Sequence, residues 1–197
     1  MWNDAEDFLL KDKYIAPLIE KHGHCKISSK KHVDYFQELV EAIVGQQLSG
    51  KAADVIFGRL KKKVGGKLTS EKLLAMKDQD MRDCGMAWAK VRSIKDLAQK
   101  VKEKKLHIKN LNALPDDTVI KELVSVKGIG EWTAQMFLMF TLGRPDIFPV
   151  EDLGIRKGFE KVTGRKFDKK KSAIFAEKHW KPYRTLASWY LWRSLEN

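Results

Sequence analysis

The sequence has few cysteines and no long apolar run. Its two cysteines, Cys25 and Cys84, do not form a Cys-x-x-Cys pair, whereas an iron–sulfur cluster needs about four thiolates. No apolar stretch approaches the ~20 residues of a membrane-spanning helix, and the N-terminal residues MWNDAEDFLLKDK lack the layout of a signal peptide. These absences argue against a disulfide scaffold, a cluster protein and a membrane protein. We therefore expect a cytoplasmic protein, associated with the nucleoid if the source is prokaryotic.

Strand periodicity is also absent, and helical spacing runs through most of the chain. One apolar stripe at three- and four-residue spacings comprises Val33, Phe36, Leu39, Val40, Ile43 and Val44. Two more comprise Ala52, Val55, Ile56, Leu60 and Val64, and Trp88, Val91, Ile94, Leu97 and Val101. Start and stop residues predict further helices from Pro115-Asp116-Asp117 onward and over 131–142, 153–162, 169–178 and 182–195. We predict an all-α protein of about nine or ten short helices.

Positive charge is in excess, with 38 Lys and Arg against 26 Asp and Glu and a formal net charge of +12. Such an excess favours a polyanionic partner, most commonly nucleic acid, although a basic enzyme unrelated to DNA is the alternative. The lysine runs 61–63 and 169–171 are interpreted as solvated helix faces. Four of the six tryptophans are expected in the core: Trp2, Trp88, Trp180 and Trp189.

A glycine hairpin is the most informative local feature. Residues 123–134, LVSVKGIGEWTA, predict a helix, a turn built on Gly128-Ile129-Gly130 and a second helix. Backbone N–H groups uncovered at the start of a helix favour a phosphate, and such a contact reads no base sequence. The bend Gly45-Gln46-Gln47-Leu48-Ser49-Gly50 separates two other helices, and Ser49 is placed to cap the second.

Four ordered motifs together resemble the helix-hairpin-helix superfamily of DNA glycosylases. The hairpin followed by Phe148-Pro149-Val150-Glu151-Asp152 matches the superfamily's hairpin and Pro-Val-x-Asp pattern. Segments 45–53 (GQQLSGKAA) and 180–187 (WKPYRTLA) are similar to motifs of its 3-methyladenine glycosylases, and the likeness extends from about residue 30 to the end. The bacterial type II enzymes carry an additional N-terminal β-rich domain, for which 197 residues leave no room. We therefore expect the minimal form.

The resemblance implies one glycosylase unit (residues 1–197) with two helical lobes flanking a cleft. Residues 37–150 would form the central lobe with the hairpin at 123–134, and residues 1–36 plus 151–197 the second lobe. It further implies a monofunctional N-glycosylase that excises alkylated purines such as 3-methyladenine and 7-methylguanine from damaged double-stranded DNA in base excision repair. A monomer is expected.

The resemblance also implies roles for single residues. Asp152 would be the catalytic carboxylate, with Glu151 the nearby alternative, because N-glycosidic cleavage builds positive charge on the sugar. Members that also nick the strand carry a lysine where this chain has Trp132, and an indole cannot form a Schiff base. Lys127 and Lys157 lie outside that register.

The base pocket and the DNA contacts follow by the same register. Trp132 and Trp192 match pocket aromatics, whose faces attract a cationic base, whereas Met136 and Leu153 replace tyrosines and leave the substrate range open. Gln47 falls where a side chain fills the gap left by a flipped base. The implied DNA contacts are Gly128, Gly130, Lys127, Gln47 and Ser49. No cofactor is expected except a structural Na⁺ or K⁺ ion on the hairpin carbonyls of Val124, Val126 and Ile129.

Two other functions remain open at this point. An enzyme of the same fold could act on hypoxanthine, uracil or an oxidised base, and would differ only in its pocket lining. A non-catalytic DNA-binding module could use the hairpin alone. Asp152 with paired aromatic residues argues against such a module, because binding needs neither.

Overall fold

The computed structural model describes residues 2–27 and 33–196, and within them the secondary structure is entirely helical. The chain divides into two compact units: a middle unit, residues 31–134, and an end unit, residues 1–30 with 135–197. The predicted all-α class is confirmed. None of the helices in the described ranges is long and apolar enough to cross a membrane.

The middle unit contains six α-helices and one 3-10 helix among its described residues. The helices are α3 (Tyr35–Gly45), α4 (Gly50–Val64), α5 (Ser70–Ala75), α6 (Asp78–Asp83), α7 (Trp88–Lys102), a 3-10 helix (Ile108–Ala113) and α8 (Asp116–Val124). Side chains cap three of them: Asp34 accepts from two backbone N–H groups of α3, Ser49 from one of α4 and Thr69 from one of α5. The predicted cap at Ser49 is confirmed.

The stripe predicted for α3 is confirmed within the helix, since Leu39, Val40, Ile43 and Val44 are fully buried. Its first predicted member, Val33, lies before the N-cap residue of α3 and is half-buried. The stripe predicted for α4 is partly wrong, because Val55 is 52% exposed whereas Phe57 is buried. Helix α4 carries two overlapping apolar spacings, and packing selects the one that contains Phe57 and Leu60. Periodicity alone does not choose between them.

The end unit contains α1 (Asn3–Leu9), α2 (Ala16–His22), α10 (Leu153–Thr163), α11 (Lys169–Trp180) and α12 (Arg184–Arg193); helix α9 (Glu131–Phe140) begins in the middle unit and ends in this one. Its core surrounds α12, where Leu186, Tyr190 and Leu191 are fully buried. Helix α10 lies very close to α12, because a Cβ on Gly158 would stand 2.4 Å from the Leu191 carbonyl oxygen.

The described ranges hold twelve α-helices, so the prediction of nine or ten is too low. The four α-helices for which no range was predicted, α1, α2, α5 and α6, have only six or seven residues. A segment that short is well below the window of about 11–18 residues over which apolar spacing distinguishes a helix, so its apolar spacing is ambiguous.

One further expectation needs correction. Trp2 and Trp180 are buried and Trp189 is half-buried, but Trp88 is 45% exposed, with the Arg82 guanidinium 5.2 Å from its ring centroid. The lobe bounds of 37–150 stay a prediction. The middle unit spans residues 31–134, and the chain belongs to the end unit from Gln135, where Phe148 contacts Trp180 at 5.8 Å between ring centroids.

Candidate active site and nucleic-acid interface

Asp152 is the N-cap residue of α10, and two elements of the end unit fix its carboxylate. Its Oδ1 atom accepts a hydrogen bond from the backbone N–H of Ile155 at 2.8 Å and another from the indole Nε1–H of Trp192 at 2.8 Å. The side chain is half-buried. Donors from both α10 and α12 therefore hold this carboxylate in one orientation at the surface of the end unit.

Gly154 makes the contact between Trp192 and Asp152 possible, and it was not predicted as a site residue. A Cβ at this position would lie 2.7 Å from Trp192 Cδ1, 2.9 Å from its Nε1 and 3.0 Å from Asp152 Oδ1. Any side chain here would therefore displace the indole or the carboxylate. The only sequence signal is a glycine in the first turn of an amphipathic helix, where it costs helix stability.

An aromatic stack lies beside this carboxylate. The rings of Phe140 and Trp192 are stacked, with centroids 6.0 Å apart and planes inclined by 27°. Phe140 is 36% exposed and was not predicted as a site residue. The sequence feature that could have identified it is its position on α9, one helical turn after the predicted pocket residue Met136, which is half-buried. Leu153, next to Asp152, is 61% exposed. The structure thus brings Asp152, Leu153 and Trp192 together and adds Phe140.

The predicted hairpin is present in the middle unit. Helix α8 ends at Val124, the backbone N–H of Ile129 donates to the Val126 carbonyl at 3.1 Å, and α9 starts at Glu131. Gly128 has φ +79°, and a Cβ on it would lie 2.2 Å from the Ser93 hydroxyl of α7. Gly130 is exposed, and a Cβ there would meet nothing within 4 Å. The two glycines therefore differ, since Gly128 is required by packing and Gly130 is not.

Lys127 is exposed, and its backbone N–H donates to Asp96 Oδ2 at 2.8 Å. Burial of the Asp96 carboxyl raises its pKa, but the hydrogen bonds from the Lys100 side chain and from the Lys127 backbone lower it more. The pKa of Asp96 is therefore below its usual value. The Asp96 carboxylate therefore anchors the hairpin backbone to α7, while the Lys127 side chain is at the surface.

The loop after α3 places Gln47 at the surface in a left-handed conformation, φ +57°. Its neighbour Gln46 is half-buried and donates from Nε2 to the Gly128 carbonyl at 2.9 Å, so it joins this loop to the hairpin. Lys90 Nζ donates to the carbonyls of Val44 at 2.7 Å and Gln46 at 2.8 Å, and its burial lowers its pKa. Neither Gln46 nor Lys90 was predicted to have these roles, because both contacts join residues more than 40 positions apart.

Trp132 lies in the first turn of α9 and is 42% exposed. Lys157, on α10, is exposed, as is Ser49 at the start of α4. Among the described residues no cluster of three His, Cys, Asp or Glu side chains could hold a metal ion. Of the residues predicted to hold a cation by their carbonyls, Val124 is the last residue of α8 and Val126 and Ile129 follow it; the C-terminal end of a helix is the negative end of its dipole. Such neutral oxygen donors suit a monovalent ion.

Comparisons with known proteins identify the family. The family described as HhH-GPD superfamily base excision DNA repair protein matches residues 40–183. The chain therefore belongs to this superfamily, and the resemblance read from the motifs is confirmed.

Three similar proteins agree with this placement. The chain is 36% identical to DNA-3-methyladenine glycosylase 1 of Schizosaccharomyces pombe, over 81% of this chain and 72% of the relative. The crystal structure of a DNA-3-methyladenine glycosidase from Bacillus halodurans superposes with a TM-score of 0.87 at 36% identity, covering 99% of this chain and 90% of the other. A 3-methyladenine DNA glycosylase of S. pombe in complex with abasic DNA gives 0.82 at 32% identity, covering 99% and 98%.

Proposed function

We propose that this protein is a DNA N-glycosylase that excises N-alkylated purines, such as 3-methyladenine and 7-methylguanine, in base excision repair. The observation that carries the proposal is the Asp152 carboxylate, held by Ile155 and Trp192 beside the Phe140–Trp192 stack. The relatives named above support the choice of substrate, because they are named as 3-methyladenine glycosylases.

The chemistry that this arrangement supports is hydrolysis of the bond between the base and C1′ of the sugar. As that bond breaks, its electron pair leaves with the base and positive charge develops on the sugar. A fixed carboxylate stabilises this charge and orients the water that adds to C1′. The products are the free base, an abasic site and one proton, which the added water loses to the Asp152 carboxylate or to solvent. An alkylated purine is already cationic, so it departs as a neutral base without protonation by an acid.

The aromatic residues supply recognition of the cation. A cationic ring over an aromatic face gains about 0.5–2 kcal/mol, and Trp192 offers such a face next to Asp152. Trp132 is the second aromatic residue that we assign to the base. Met136 and Leu153, which are less polar than tyrosine, complete the lining and leave charge as the main basis of selection.

DNA binding is assigned to the hairpin and to the loop after α3. We propose that the backbone at Gly128–Gly130 and the Lys127 side chain contact phosphates, and that Ser49 lies at the same strand. The exposed, left-handed Gln47 fills the gap left by the flipped nucleotide, which recovers part of the few kcal/mol of unstacking. We further propose that a monomer acts and that Na⁺ or K⁺ on the carbonyls of Val124, Val126 and Ile129 stiffens the hairpin.

We also propose that the reaction stops at the abasic site. Trp132 stands in the register where strand-nicking members carry a lysine, and no amine is placed there to form an imine with the opened sugar.

The decisive experiment compares the wild type with Asp152→Asn on duplex that carries one 7-methylguanine, under single-turnover conditions. A neutral amide cannot stabilise a cationic sugar, so we expect a loss of at least ~10²–10³-fold in rate, about 3–4 kcal/mol, while binding to abasic duplex persists. An Asn variant with wild-type rate would refute the catalytic assignment. Matched duplexes with hypoxanthine, uracil or 8-oxoguanine test another lesion specificity, and lack of release from any duplex would indicate a binding module.

A further inference from the structure

The first turn of α12 contacts the start of the segment that leads to Asp152, residues 144–152. Arg184 donates from Nε to Asp146 Oδ1 at 2.6 Å and from Nη2 to Oδ2 at 2.9 Å. Both side chains are mostly buried, at 23% and 21% exposure. This fork-to-carboxylate geometry fixes direction as well as distance, which a lysine in place of the arginine cannot do.

The next residue of α12 adds a second set of contacts to the same segment. The backbone N–H of Thr185 donates to the Pro145 carbonyl at 2.9 Å. Its hydroxyl donates to the Arg144 carbonyl at 2.7 Å and accepts from the backbone N–H of Ile147 at 3.0 Å. Thr185 is fully buried. Residues 144–147 therefore cannot shift along α12 without leaving buried polar groups unpaired, and such groups are costly.

The same helix also holds the other end of the segment. Phe148 and Pro149 are buried, and the backbone N–H of Asp152 donates to the Pro149 carbonyl at 3.0 Å. Trp192, eight residues after Arg184, then donates to the Asp152 carboxylate. One rigid helix thus contacts the segment at its start and at its catalytic end.

We propose that Arg184 and Thr185 are positioning residues for Asp152: together with Trp192 they make α12 the template that sets the place of the carboxylate. The inference rests on the proposed function and assigns a role to two residues outside the DNA contacts proposed above. A displacement of about 1 Å at a reacting group costs on the order of 10²-fold in rate. Loss of either anchor should therefore slow excision strongly and leave DNA binding almost unchanged.

The test must separate positioning from simple loss of stability. The variants are Arg184→Gln and Thr185→Val, with Thr185→Ser as the conservative change that keeps the hydroxyl. The matched control is Tyr190→Phe, because Tyr190 is a buried residue of the same helix whose hydroxyl bonds Glu6 and the Gly23 carbonyl at 3.0 Å each instead of segment 144–147. Thermal unfolding, affinity for abasic duplex and the single-turnover rate on 7-methylguanine duplex are measured for each.

We expect Arg184→Gln and Thr185→Val to lose about 10–100-fold in rate with nearly unchanged affinity, and Thr185→Ser and Tyr190→Phe to keep most of the rate. In an Asp152→Asn background, Arg184→Gln should cause no further loss, since both changes act on one group. If Thr185→Val does not fold, Arg184→Lys replaces it. Rates that follow stability in all variants, Tyr190→Phe included, or losses that multiply in the double variant, would overturn the inference. An active Asp152→Asn would instead overturn the proposed function, and this inference with it.

Discussion

At the scale of single residues, the position of the Asp152 carboxylate depends on the absence of a side chain at Gly154. The Trp192 indole passes so close to Gly154 that a Cβ would stand 2.7 Å from one of its carbons. The hydrogen bond from this indole to a charged acceptor is worth about 1.5–3 kcal/mol. Gly154 therefore acts on the chemistry through Trp192, although it has no functional group of its own.

We predict that Gly154→Ala breaks this contact and slows excision by about 10-fold or more, because the indole must move away from the carboxylate. The matched control is Gly58→Ala on the exposed face of α4, where a Cβ meets nothing within 4 Å. That change should leave the rate unchanged and raise stability by about 0.5–1 kcal/mol, the usual gain of alanine in a helix. Single-turnover rates with thermal unfolding of both variants decide the matter, and equal rates would contradict the role of Gly154.

Trp132 permits a test of the reaction type. We predict strand breaks only after alkali, and no covalent adduct when borohydride is added to enzyme and lesion-containing duplex, because no lysine stands in the register that forms an imine. Trp132→Lys should lose most excision of 3-methyladenine, since it removes an aromatic face that attracts the cation. An adduct trapped with the wild type would contradict the monofunctional assignment, and Lys127→Ala and Lys157→Ala would then show which amine reacts.

At the scale of elements, the two glycines of the hairpin make different contributions. Gly128 has a left-handed φ and faces Ser93, whereas Gly130 meets no neighbour. We predict that Gly128→Ala lowers the free energy of unfolding by about 1–3 kcal/mol, through backbone strain and the clash. Gly130→Ala should keep stability and weaken binding to undamaged duplex, because a methyl group then stands between the backbone and a phosphate. Urea unfolding and duplex titration of both variants test this, and equal destabilisation by both changes would show that the hairpin glycines serve folding alone.

The elements also show what the sequence could predict. Helices α3, α4 and α7 were placed by apolar stripes that repeat over two turns or more, and longer helices such as α10 were placed by their start and stop residues. The catalytic candidate was identified because its motif is local, five residues from Phe148 to Asp152. The partners of that motif could not be predicted in this way. Trp192 lies 40 positions from Asp152, and Arg184 lies 38 from Asp146, so only the packing of α12 brings them together.

At the scale of the whole molecule, the two ends of the chain are joined by a buried polar cluster. Glu6 accepts from the Tyr190 hydroxyl at 3.0 Å, across 184 positions, and from the backbone N–H of Cys25 at 2.7 Å. Burial raises the pKa of Glu6, but hydrogen bonds from Cys25, His24 and Tyr190 outweigh it and lower the pKa below its usual value. A carboxyl group whose pKa is lower in the folded state stabilises the fold at pH values above its unfolded-state pKa. This stabilisation is lost as the pH falls through the folded-state pKa. This cluster therefore ties α1 to α12, the helix that positions Asp152, at neutral pH.

The charge of the whole molecule predicts how it binds DNA. The net charge of +12 and the exposed Lys127 favour contact with phosphates, and each neutralised phosphate releases counterions. If about four to five phosphates are neutralised, the logarithm of the affinity for undamaged duplex should fall with the logarithm of salt concentration at a slope near −4, with little dependence on base sequence. Lys127→Ala should make that slope shallower by about 1, whereas Lys170→Ala, in a run interpreted as a solvated helix face, should not change it.

The measurement is fluorescence anisotropy of a labelled duplex at several salt concentrations. A slope close to zero would mean that the basic surface serves a partner other than DNA, and an equal change with both variants would mean that the lysines act through net charge alone and not through a contact at the hairpin.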